Sequence, residues 1–429
     1  MGINEIETAK ASSLKEPDST PRLAKEASIW RNRAFMLVFA SYTVSNLGNT
    51  FHSIAINLWV LQTTGSAKLM SLVLITHLAS SLLFGSIAGT LADRIDRRKM
   101  MWISDLIRFV LVGLIAICML VPGVPFYMIL LLTALVAVVG TFRSPAFQAS
   151  LIEIVGKTGV TQAVAAMTVS DNATRIGGFA AGGIAVAAFG GAFAVAIDSF
   201  AFLLSGILLL LAGRFPYREA EAPSGVKPSF RSDFAEGFRV IWGDAFIRSA
   251  FLLLPLVTFF FLSTFMLVQV LAVKVWQAPP FVFGLLEACI PLGYVIGSVA
   301  IMKWSGRMRR RGIWMLGSVA LIGPCFIVIA LVDTAALALP IVLSVGLLFS
   351  FSTTIFAIAL RVGVPAHLQG RVFGLIGTLT SVAPPVGLAA FSALADSYGP
   401  APIILGSGSA MLAIGLLSFL LFKQLRKFE

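Results

Sequence analysis

The feature that most constrains the fold is a series of apolar segments long enough to cross a lipid bilayer. The first runs from Ala34 to about Leu61, and similar segments recur towards the C-terminal end. About 20 apolar residues in a helix cross a hydrocarbon core of roughly 30 Å, and the helix satisfies its own backbone hydrogen bonds there. Only 12% of the residues are charged, against about 25% in soluble domains. The sequence therefore predicts an all-α polytopic membrane protein and excludes a water-surrounded globule.

Apolar runs and the turn residues between them predict twelve spans. The approximate limits are 34–61, 68–92, 100–121, 124–143, 161–188, 191–213, 247–273, 280–303, 313–333, 336–360, 369–395 and 401–422. The long polar stretch after the sixth span divides the chain into two halves. We therefore predict five parts: an N-terminal segment 1–33, a six-helix bundle 34–213, a linker 214–246 with an amphipathic surface helix, a second bundle 247–422 and a tail 423–429.

The distribution of basic residues predicts how the spans are oriented. The loops on one side of the membrane contain only Lys68 and Lys274, and two further basic residues, Arg108 and Arg175, fall within spans. The segments on the other side hold the remaining 28 of the 32 Lys and Arg. Basic residues concentrate on the cytoplasmic side of membrane proteins. We therefore expect a multi-pass protein of the inner (cytoplasmic) cell membrane with both termini in the cytoplasm. The net charge of +12 faces anionic lipid, and we expect no nucleic-acid partner.

Residue types that would indicate an enzyme or a metal site are scattered. The cysteines and histidines show no ligand spacing: Cys118, Cys289, Cys325, His52, His77 and His367. The stretch "LIEIVGKTG" ends like a phosphate-binding loop, but Leu151 stands where the first glycine belongs. We therefore expect no metal, no cofactor and no enzymatic activity. If the chain drives a substrate across the membrane, we expect the energy to come from an ion gradient.

The two halves contain an internal repeat. Placing them over one another at an offset of 212 residues aligns 85–99 with 297–311, where "GSIA" matches "GSVA" and both copies end in three consecutive basic residues. An even number of spans in each copy makes the copies parallel, related by an axis along the membrane normal. The chain is therefore predicted to be a duplicated six-helix unit.

The segment between the second and third predicted spans resembles the signature of the major facilitator superfamily, roughly G-x-L-x-D-R-x-G-R-[RK]. The chain supplies Gly89, Leu91, Asp93, Arg94, Arg97 and Arg98, with Asp96 at the usual glycine. The stretches "SNLGNTFHSIAINLWVLQTTGSA", "EGFRVIWGDAFIR" and "GRVFGLIG" resemble the branch that contains the enterobactin exporter and macrolide-efflux proteins. The resemblance covers nearly the whole chain, and it implies a major facilitator fold of two six-helix bundles.

This motif predicts a conformational latch on the cytoplasmic side. Gly85 and Gly89 would let the second span approach a neighbour closely. Asp93 would meet the free amides and the positive dipole end of the eleventh span, which the resemblance also implies. The predicted latch residues are Gly85, Gly89, Asp93, Arg94, Arg97, Arg98, Asp105, Arg108, Gly370 and Arg371. The alternatives are a charge cluster that only sets topology and, for Asp105 and Arg108, a structural role.

Ionisable residues within spans are candidates for proton coupling. Glu287 and Asp198 have no basic residue within four positions, and burial favours the neutral form of a carboxyl group. The alternative for each is a hydrated acid near the outer mouth. Asp171 is the third candidate, and Arg175 four residues later gives it the spacing of a helix ion pair. That pair is either a structural salt bridge or part of a substrate or gating site.

The predicted substrate cavity combines polar and aromatic side chains. Asn46, Asn49 and His52 are three residues apart and share one face of the first span. The runs "TFFFLSTF" and "FSFSTTIF" offer aromatic surface. The candidates are Asn46, Asn49, His52, Asp171, Arg175, Phe261, Phe265 and Phe356. Hydrogen bonding between helices and ordinary packing of the phenylalanines are the alternatives.

Together these features predict a monomeric secondary active transporter that exports a small amphipathic compound, such as a macrolide-like drug or a siderophore, by alternating access and proton antiport. The partners are thus a small molecule, protons and the lipid bilayer. Two other functions within the superfamily stay open, a lysophospholipid flippase and a proton-coupled importer. A membrane receptor or scaffold that transports nothing is disfavoured, because the latch motif is largely intact.

Overall fold

The computed structural model describes residues 29–213, 238–304, 306–308, 310–364 and 366–426. Within these ranges the chain is helical and contains no strand. The predicted N-terminal segment lies almost wholly outside the described residues, as does most of the predicted linker. The part of the amphipathic helix that is described, residues 238–243, is helical.

Twelve α-helices have both ends within the described residues, after a short 3₁₀ turn at Ile29–Arg31. The first half contains α1 (Arg33–Thr64), α2 (Ala67–Ala92), α3 (Arg97–Leu120), α4 (Phe126–Phe189) and α5 (Gly191–Leu211). The second half contains α6 (Ala245–Lys274), α7 (Pro280–Trp304), α8 (Arg311–Leu331), α9 (Ala335–Gly363), α10 (Ala366–Tyr398), α11 (Pro400–Leu421) and the four-residue α12 (Lys423–Arg426).

Short polar residues begin several of these helices. The side chains of Asn32, Ser66, Asp96 and Asp244 each accept a backbone N–H from the first turn of the helix that follows. Such caps satisfy donors that have no partner within the helix. Gly65, at φ 61°, ends α1 in the left-handed conformation that suits glycine.

Helix α4 differs from the prediction, because the loop expected between the fourth and fifth spans is helical. Only Gly156, with φ 69° and ψ 172°, has non-helical angles inside this 64-residue helix. Residues 146–155 contain neither Gly nor Pro, so the helix continues past Pro145 and breaks where glycine permits a positive φ. Gly156 thus divides α4 into two spans, and we call residues 157–189 the second segment of α4.

Ten helical stretches of the described chain are long and apolar enough to cross a membrane. The other two predicted spans correspond to α1 and to the second segment of α4. Both are helical, but polar side chains lower their mean hydropathy: Asn46, Asn49, His52 and Asn57 in α1, and Asp171, Asn172 and Arg175 in the second segment of α4. The two most polar spans are therefore neighbours, and both border the cavities described below.

Contacts between helices group them into two bundles that meet along two seams. In the first half α5 packs against α1 and α3, and α4 packs against α1, α2 and α3. In the second half α7 packs against α9, α8 against α11, and α6 against α10. Between the halves, α4 meets α7 and α2 meets α10. This arrangement is the predicted all-α major facilitator architecture.

Candidate functional site

The seam between α2 and α10 is closed by polar contacts at one face of the molecule. The carboxylate of Asp396 accepts the Ser66 hydroxyl and the Ala67 amide, each at 2.7 Å. Farther along the seam the hydroxyl oxygens of Ser71 and Ser392 lie 2.8 Å apart. We call this face, which also carries the turns at 274–280, 331–335 and 398–400, the closed face.

The seam between α4 and α7 is closed near the same face by direct backbone contact. A Cβ atom added to Gly183 would lie 2.7 Å from the Pro280 carbonyl oxygen, and one added to Gly284 would lie 2.5 Å from the Phe179 carbonyl oxygen. Both distances are shorter than van der Waals contact. Only glycine at these two positions lets the helices approach so closely.

The α2–α10 pair separates towards the opposite face, which we call the open face. A Cβ atom added to Gly85 or Gly89 in α2 would meet no atom within 4 Å, and the same holds for Gly370, Gly374 and Gly377 in α10. The close approach predicted for Gly85 and Gly89 is therefore not made in this conformation. The repeat copy differs, since a Cβ on Gly297 would lie 2.8 Å from the Leu347 carbonyl oxygen.

Four charged residues of the predicted latch, Asp93, Arg94, Arg97 and Arg98, lie at the open face. Asp93 follows the last residue of α2, its carboxylate side chain is 61% exposed, and its oxygen lies 3.7 Å from the Arg97 guanidinium. Arg97 also lies 2.6 Å from Glu153 of α4. Arg98 donates to the carbonyl oxygens of Leu209 and Leu210 at the end of α5.

The basic residues therefore tie the start of α3 to its own half. Arg94 lies in the turn between α2 and α3, where its amide donates to the Leu91 carbonyl oxygen. Gly370 and Arg371 lie in the first turns of α10, across the opening. A latch between the halves stays a prediction for a conformation in which this face closes.

Asp105 does not lie at the open face, where the predicted latch would form. It is fully buried inside the first half, with its Oδ1 2.9 Å from Arg143 Nε. Its Oδ2 accepts the Ser205 hydroxyl at 2.6 Å. Asp105 thus joins α3 to α4 and α5, which is the structural alternative. Sequence reasoning missed Arg143 because it placed this residue at the end of a span, whereas α4 continues beyond it.

Arg108 also belongs to the interior and not to the latch region. Its guanidinium donates to Asn49 Oδ1 at 2.7 Å and lies 3.7 Å from the centre of the Phe202 ring. The side chain is buried at 5% exposure, and it lines a cavity. The ring and the amide stabilise a cation there without neutralising it.

This larger cavity has a volume of about 770 Å³ and is lined by α1 to α5. Asn46, Asn49 and His52 all line it, as do Asp171 and Asp198. Asp198 is 1% exposed, and its Oδ2 lies 3.3 Å from His52 Nδ1. A buried acid and a buried imidazole thus face each other between α5 and α1.

The predicted pair of Asp171 and Arg175 is not formed. Asp171 accepts a hydrogen bond from the Asn46 amide at 2.7 Å. Arg175 lines a second cavity instead, and the ion pairs found in the described part of the chain do not join the two residues. A residue on a neighbouring helix therefore replaces the partner that helix spacing predicts.

The second cavity, of about 480 Å³, has Phe and Tyr rings on one wall. The rings of Phe261 and Phe349 stack at a centroid distance of 3.7 Å, and Phe265 and Tyr294 complete this wall. Glu287 lines the same space at 8% exposure. Its Oε1 has no hydrogen-bond partner among the described residues.

One aromatic candidate does not reach either cavity. Phe356 is 1% exposed and packs in the apolar core. Phe349, two turns earlier in the same "FSFSTTIF" run, takes the place that the prediction gave to Phe356. The composition of this run predicts an aromatic wall. Which of its rings faces the cavity depends on the rotation of the helix, and packing determines that rotation.

The two cavities adjoin each other, because Ser53, Asn57, Leu74 and His77 line both. Asn57 and Gln269 face each other across the halves, with Nδ2 and Oε1 3.5 Å apart. The combined space has a polar, charged wall from the first half and an aromatic wall from the second. Such a space suits a ligand with both polar and apolar surface.

A family model described as "Transmembrane secretion effector" matches residues 25–429. The chain belongs to this family of major facilitator transporters. Two relatives of the transporter are the multidrug efflux pump Tap of Mycolicibacterium fortuitum, 28% identical over 91% of this chain and 96% of the relative, and macrolide efflux protein A of Streptococcus pyogenes, 21% identical over 92% and 97%. The chain is thus a membrane transporter of small molecules and not an enzyme.

Solved structures of transporters share its fold. The nucleoside transporter NupG superposes with a TM-score of 0.73 at 11% identity, covering 91% of this transporter and 99% of NupG. A bacterial homologue of the human lysosomal transporter Spinster, in an inward-facing and unoccupied conformation, superposes with a TM-score of 0.69 at 13% identity, covering 92% and 96%. At these identities the likeness concerns the fold alone.

Proposed function

We propose that this transporter exports a small amphipathic compound by alternating access between two six-helix bundles, 34–213 and 247–422. The observation that carries the proposal is a pair of adjoining cavities, one lined by the first half and the other by both halves. Two seams between the halves are closed at one face, and the α2–α10 seam separates towards the other. The volume of each cavity, about 770 and 480 Å³, lies within the range of known ligand sites. Two relatives are named as efflux proteins for multiple drugs and for macrolides, which favours export over lipid flipping or import.

The orientation follows from charge. The open face carries the basic residues at 94–99, 307 and 310–311, whereas the closed face carries Lys68 and Lys274. Because basic residues concentrate on the cytoplasmic side, we propose that the open face is cytoplasmic and that both termini lie there. The conformation described above is then inward-open, ready to take cargo from the cytoplasm or the inner leaflet.

In the outward-open conformation Asp93 would act as the inner latch. Its exposed carboxylate ends α2 opposite the start of α10, where the first amides of the helix and its positive dipole end attract an anion. The empty space beside Gly85 and Gly89 leaves room for α10 to close against α2. The pairs of Arg97 and Arg98 with their own half would keep the turn that presents Asp93 in place.

Proton coupling is assigned to Glu287, with Asp198 and His52 as a second exchangeable pair. Glu287 lies on the aromatic wall of the cavity, and one of its carboxyl oxygens has no hydrogen-bond partner within the described part of the chain. The contents of the cavity therefore determine whether this oxygen contacts water. A carboxyl group takes up a proton in dry surroundings and releases it when water or a cation replaces the apolar contact. Proton and cargo would therefore compete for this wall, as antiport requires. Asp171 is less suited to this role because it is engaged by Asn46.

The experiment is counterflow with the purified transporter in proteoliposomes, using a panel of macrolides, cationic dyes and siderophores, with and without a pH gradient. We expect at least one compound to exchange faster than in empty liposomes, and a gradient acidic on the outer side to drive its accumulation there. Absence of flux for the whole panel would contradict export. Proton movement that is independent of cargo would contradict coupled exchange.

Asp93→Asn provides the matched control in the same liposomes. It keeps the shape of the side chain and removes its charge, so insertion should be normal and flux reduced. Accumulation of the active compound in cells that lack their own pumps, with and without the transporter, tests the direction of transport.

A further inference from the structure

Asp396 occupies a position that its own helix does not favour. It lies in the last turn of α10, where the carbonyl ends of the helix carry partial negative charge. A carboxylate at that end is destabilising unless another group compensates for it. The explanation for this acid must therefore lie outside α10.

The compensating group is the first turn of α2 in the other half. Asp396 accepts the Ser66 hydroxyl at 2.7 Å, the Ala67 amide at 2.7 Å and the Lys68 amide at 3.1 Å. Ser66 is the N-cap of α2, and its oxygen accepts the Leu69 amide at 3.2 Å. The free amides of this turn are thus satisfied partly by the cap and partly by a carboxylate from the opposite bundle.

We infer that Asp396 is the outer latch of the transporter: it holds the closed face shut by capping α2 and must release those donors before the face can open. This inference rests on the orientation proposed above. Asp396 is then a positioning residue, which acts on access to the cavity and does not touch the cargo.

The geometry of α2 and α10 makes this latch the counterpart of the one proposed for Asp93. The two helices run antiparallel, so the end of each lies beside the start of the other. Asp93 ends α2 at the open face, and Asp396 ends α10 at the closed face. Each carboxylate can cap the partner helix only when its own face is shut, and the 26 residues of α2 separate the two sites by roughly 39 Å.

A second polar contact between α2 and α10 lies farther along the same seam. The hydroxyls of Ser71 and Ser392, 2.8 Å apart and nearly fully buried, follow the Asp396 cluster along the seam. Nearer the open face, a Cβ atom added to Gly85 or Gly89 of α2, or to Gly370, Gly374 or Gly377 of α10, would meet no atom within 4 Å. The contacts of Asp396 and Ser392 with α2 are polar, so water can replace each of these hydrogen bonds when the helices separate.

The test measures access to the cavity from each side of the membrane. Cys118, Cys289 and Cys325 are replaced by serine, and Ser53, which lines both cavities, becomes the only cysteine of the test chain. Its rate of labelling by a membrane-impermeant maleimide is measured in right-side-out and inside-out vesicles. With Asp396→Ala we expect labelling from outside to rise by about tenfold or more, because losing hydrogen bonds to a charged group shifts an equilibrium by at least that factor.

Asp333→Ala is the matched control, since Asp333 is an exposed acid in a turn of the same face; its labelling should equal that of the parent. An unchanged outside rate in Asp396→Ala, or an equal rise in Asp333→Ala, would overturn the latch. A rise seen only from the inside would support the latch and overturn the proposed orientation.

A second variant tests the seam if Asp396→Ala does not fold. A disulfide between Ser71→Cys and Ser392→Cys should suppress outside labelling of the Ser53→Cys reporter, and a reductant should restore it. Labelling that continues at the parent rate with the disulfide formed would overturn the inference.

Discussion

Replacing Asp105 with alanine removes the carboxylate that neutralises a buried arginine. In the native protein Oδ1 lies 2.9 Å from Arg143 Nε, and Oδ2 accepts the Ser205 hydroxyl at 2.6 Å. Without the carboxylate, Arg143 would keep only the hydroxyls of Ser41 and Ser205, both at 3.2 Å. Breaking a buried pair by removing one partner lowers stability by about 3–5 kcal/mol, and both side chains here are less than a tenth exposed.

The assay is thermal unfolding of the purified transporter in one detergent at one scan rate, because unfolding of such a protein is irreversible. We expect Asp105→Ala to unfold at a markedly lower temperature than the parent. The double variant Asp105→Leu with Arg143→Met, which replaces the pair by apolar groups, should recover most of the loss. The ion-pair reasoning fails if Asp105→Ala unfolds with the parent, or if the double variant is as unstable as the single one.

Asp93→Asn should affect transport and not stability, which distinguishes it from Asp105→Ala. The Asp93 side chain is 61% exposed and 3.7 Å from Arg97, so its contribution to stability is under about 1 kcal/mol. The unfolding temperature should stay at the parent value, whereas flux should fall. Normal flux at matched expression would reject the inner latch and leave Asp93 a residue that only sets topology.

Three further predictions concern the cavity and its seams. Glu287→Gln should preserve counterflow at equal pH but abolish its acceleration by a pH gradient; a gradient that still drives uptake in liposomes would exclude Glu287 as the coupling group. Phe349→Ala should weaken binding of an aromatic cargo by about two- to tenfold in a fluorescence titration, since a stacked pair contributes about 0.5–1.5 kcal/mol, and the buried control Phe356→Leu should not. Gly284→Val should push α7 away from the Phe179 carbonyl, an overpacking of about 1–3 kcal/mol, so a cysteine in the cavity should be labelled faster through the closed face; an unchanged rate would mean that the α4–α7 seam is not a gate.

Several parts of the fold follow from local sequence. Long apolar runs, Gly65 and the capping residues predict the number, limits and ends of most helices, since these depend on hydropathy and on backbone conformation. The error in α4 has the same local origin. Residues 146–155 contain neither Gly nor Pro, so the gap predicted between the spans 124–143 and 161–188 is helical. The single Pro145 does not end a helix that its neighbours support.

The composition of the cavity was predictable, whereas its pairings were not. Polar residues three apart in α1 indicate a face that avoids lipid, and the structure places that face on the cavity. Helix spacing alone suggested that Asp171 would pair with Arg175, but its partner is Asn46 on α1. The partner of Asp105 is likewise Arg143 on another helix. Such choices depend on helix rotation and tilt, which are determined by packing between residues far apart in the sequence.

The open and closed faces could not be predicted for a further physical reason. A transporter must populate both conformations, so their free energies differ by only a few kcal/mol, and one sequence must provide the contacts of each. The charged motif at 93–98 predicts contacts at one face because it is a dense, local signal. The outer contacts of Asp396 use a serine and two backbone amides, which carry no comparable signature in the sequence.

The difference between the two halves indicates how binding could be linked to motion. The repeat has kept the packing scaffold, whereas the cavity walls have diverged: the first half contributes Arg108, His52 and Asp198, and the second contributes stacked rings and Glu287. An amphipathic cargo that satisfies both walls must lie across the seam, in contact with groups on both bundles. Rocking of one bundle against the other then changes the contacts on one wall before the other. In the proposed mechanism, cargo and protons would therefore bias the same movement that opens and closes the proposed latches at the ends of α2 and α10, and neither half alone would provide that coupling.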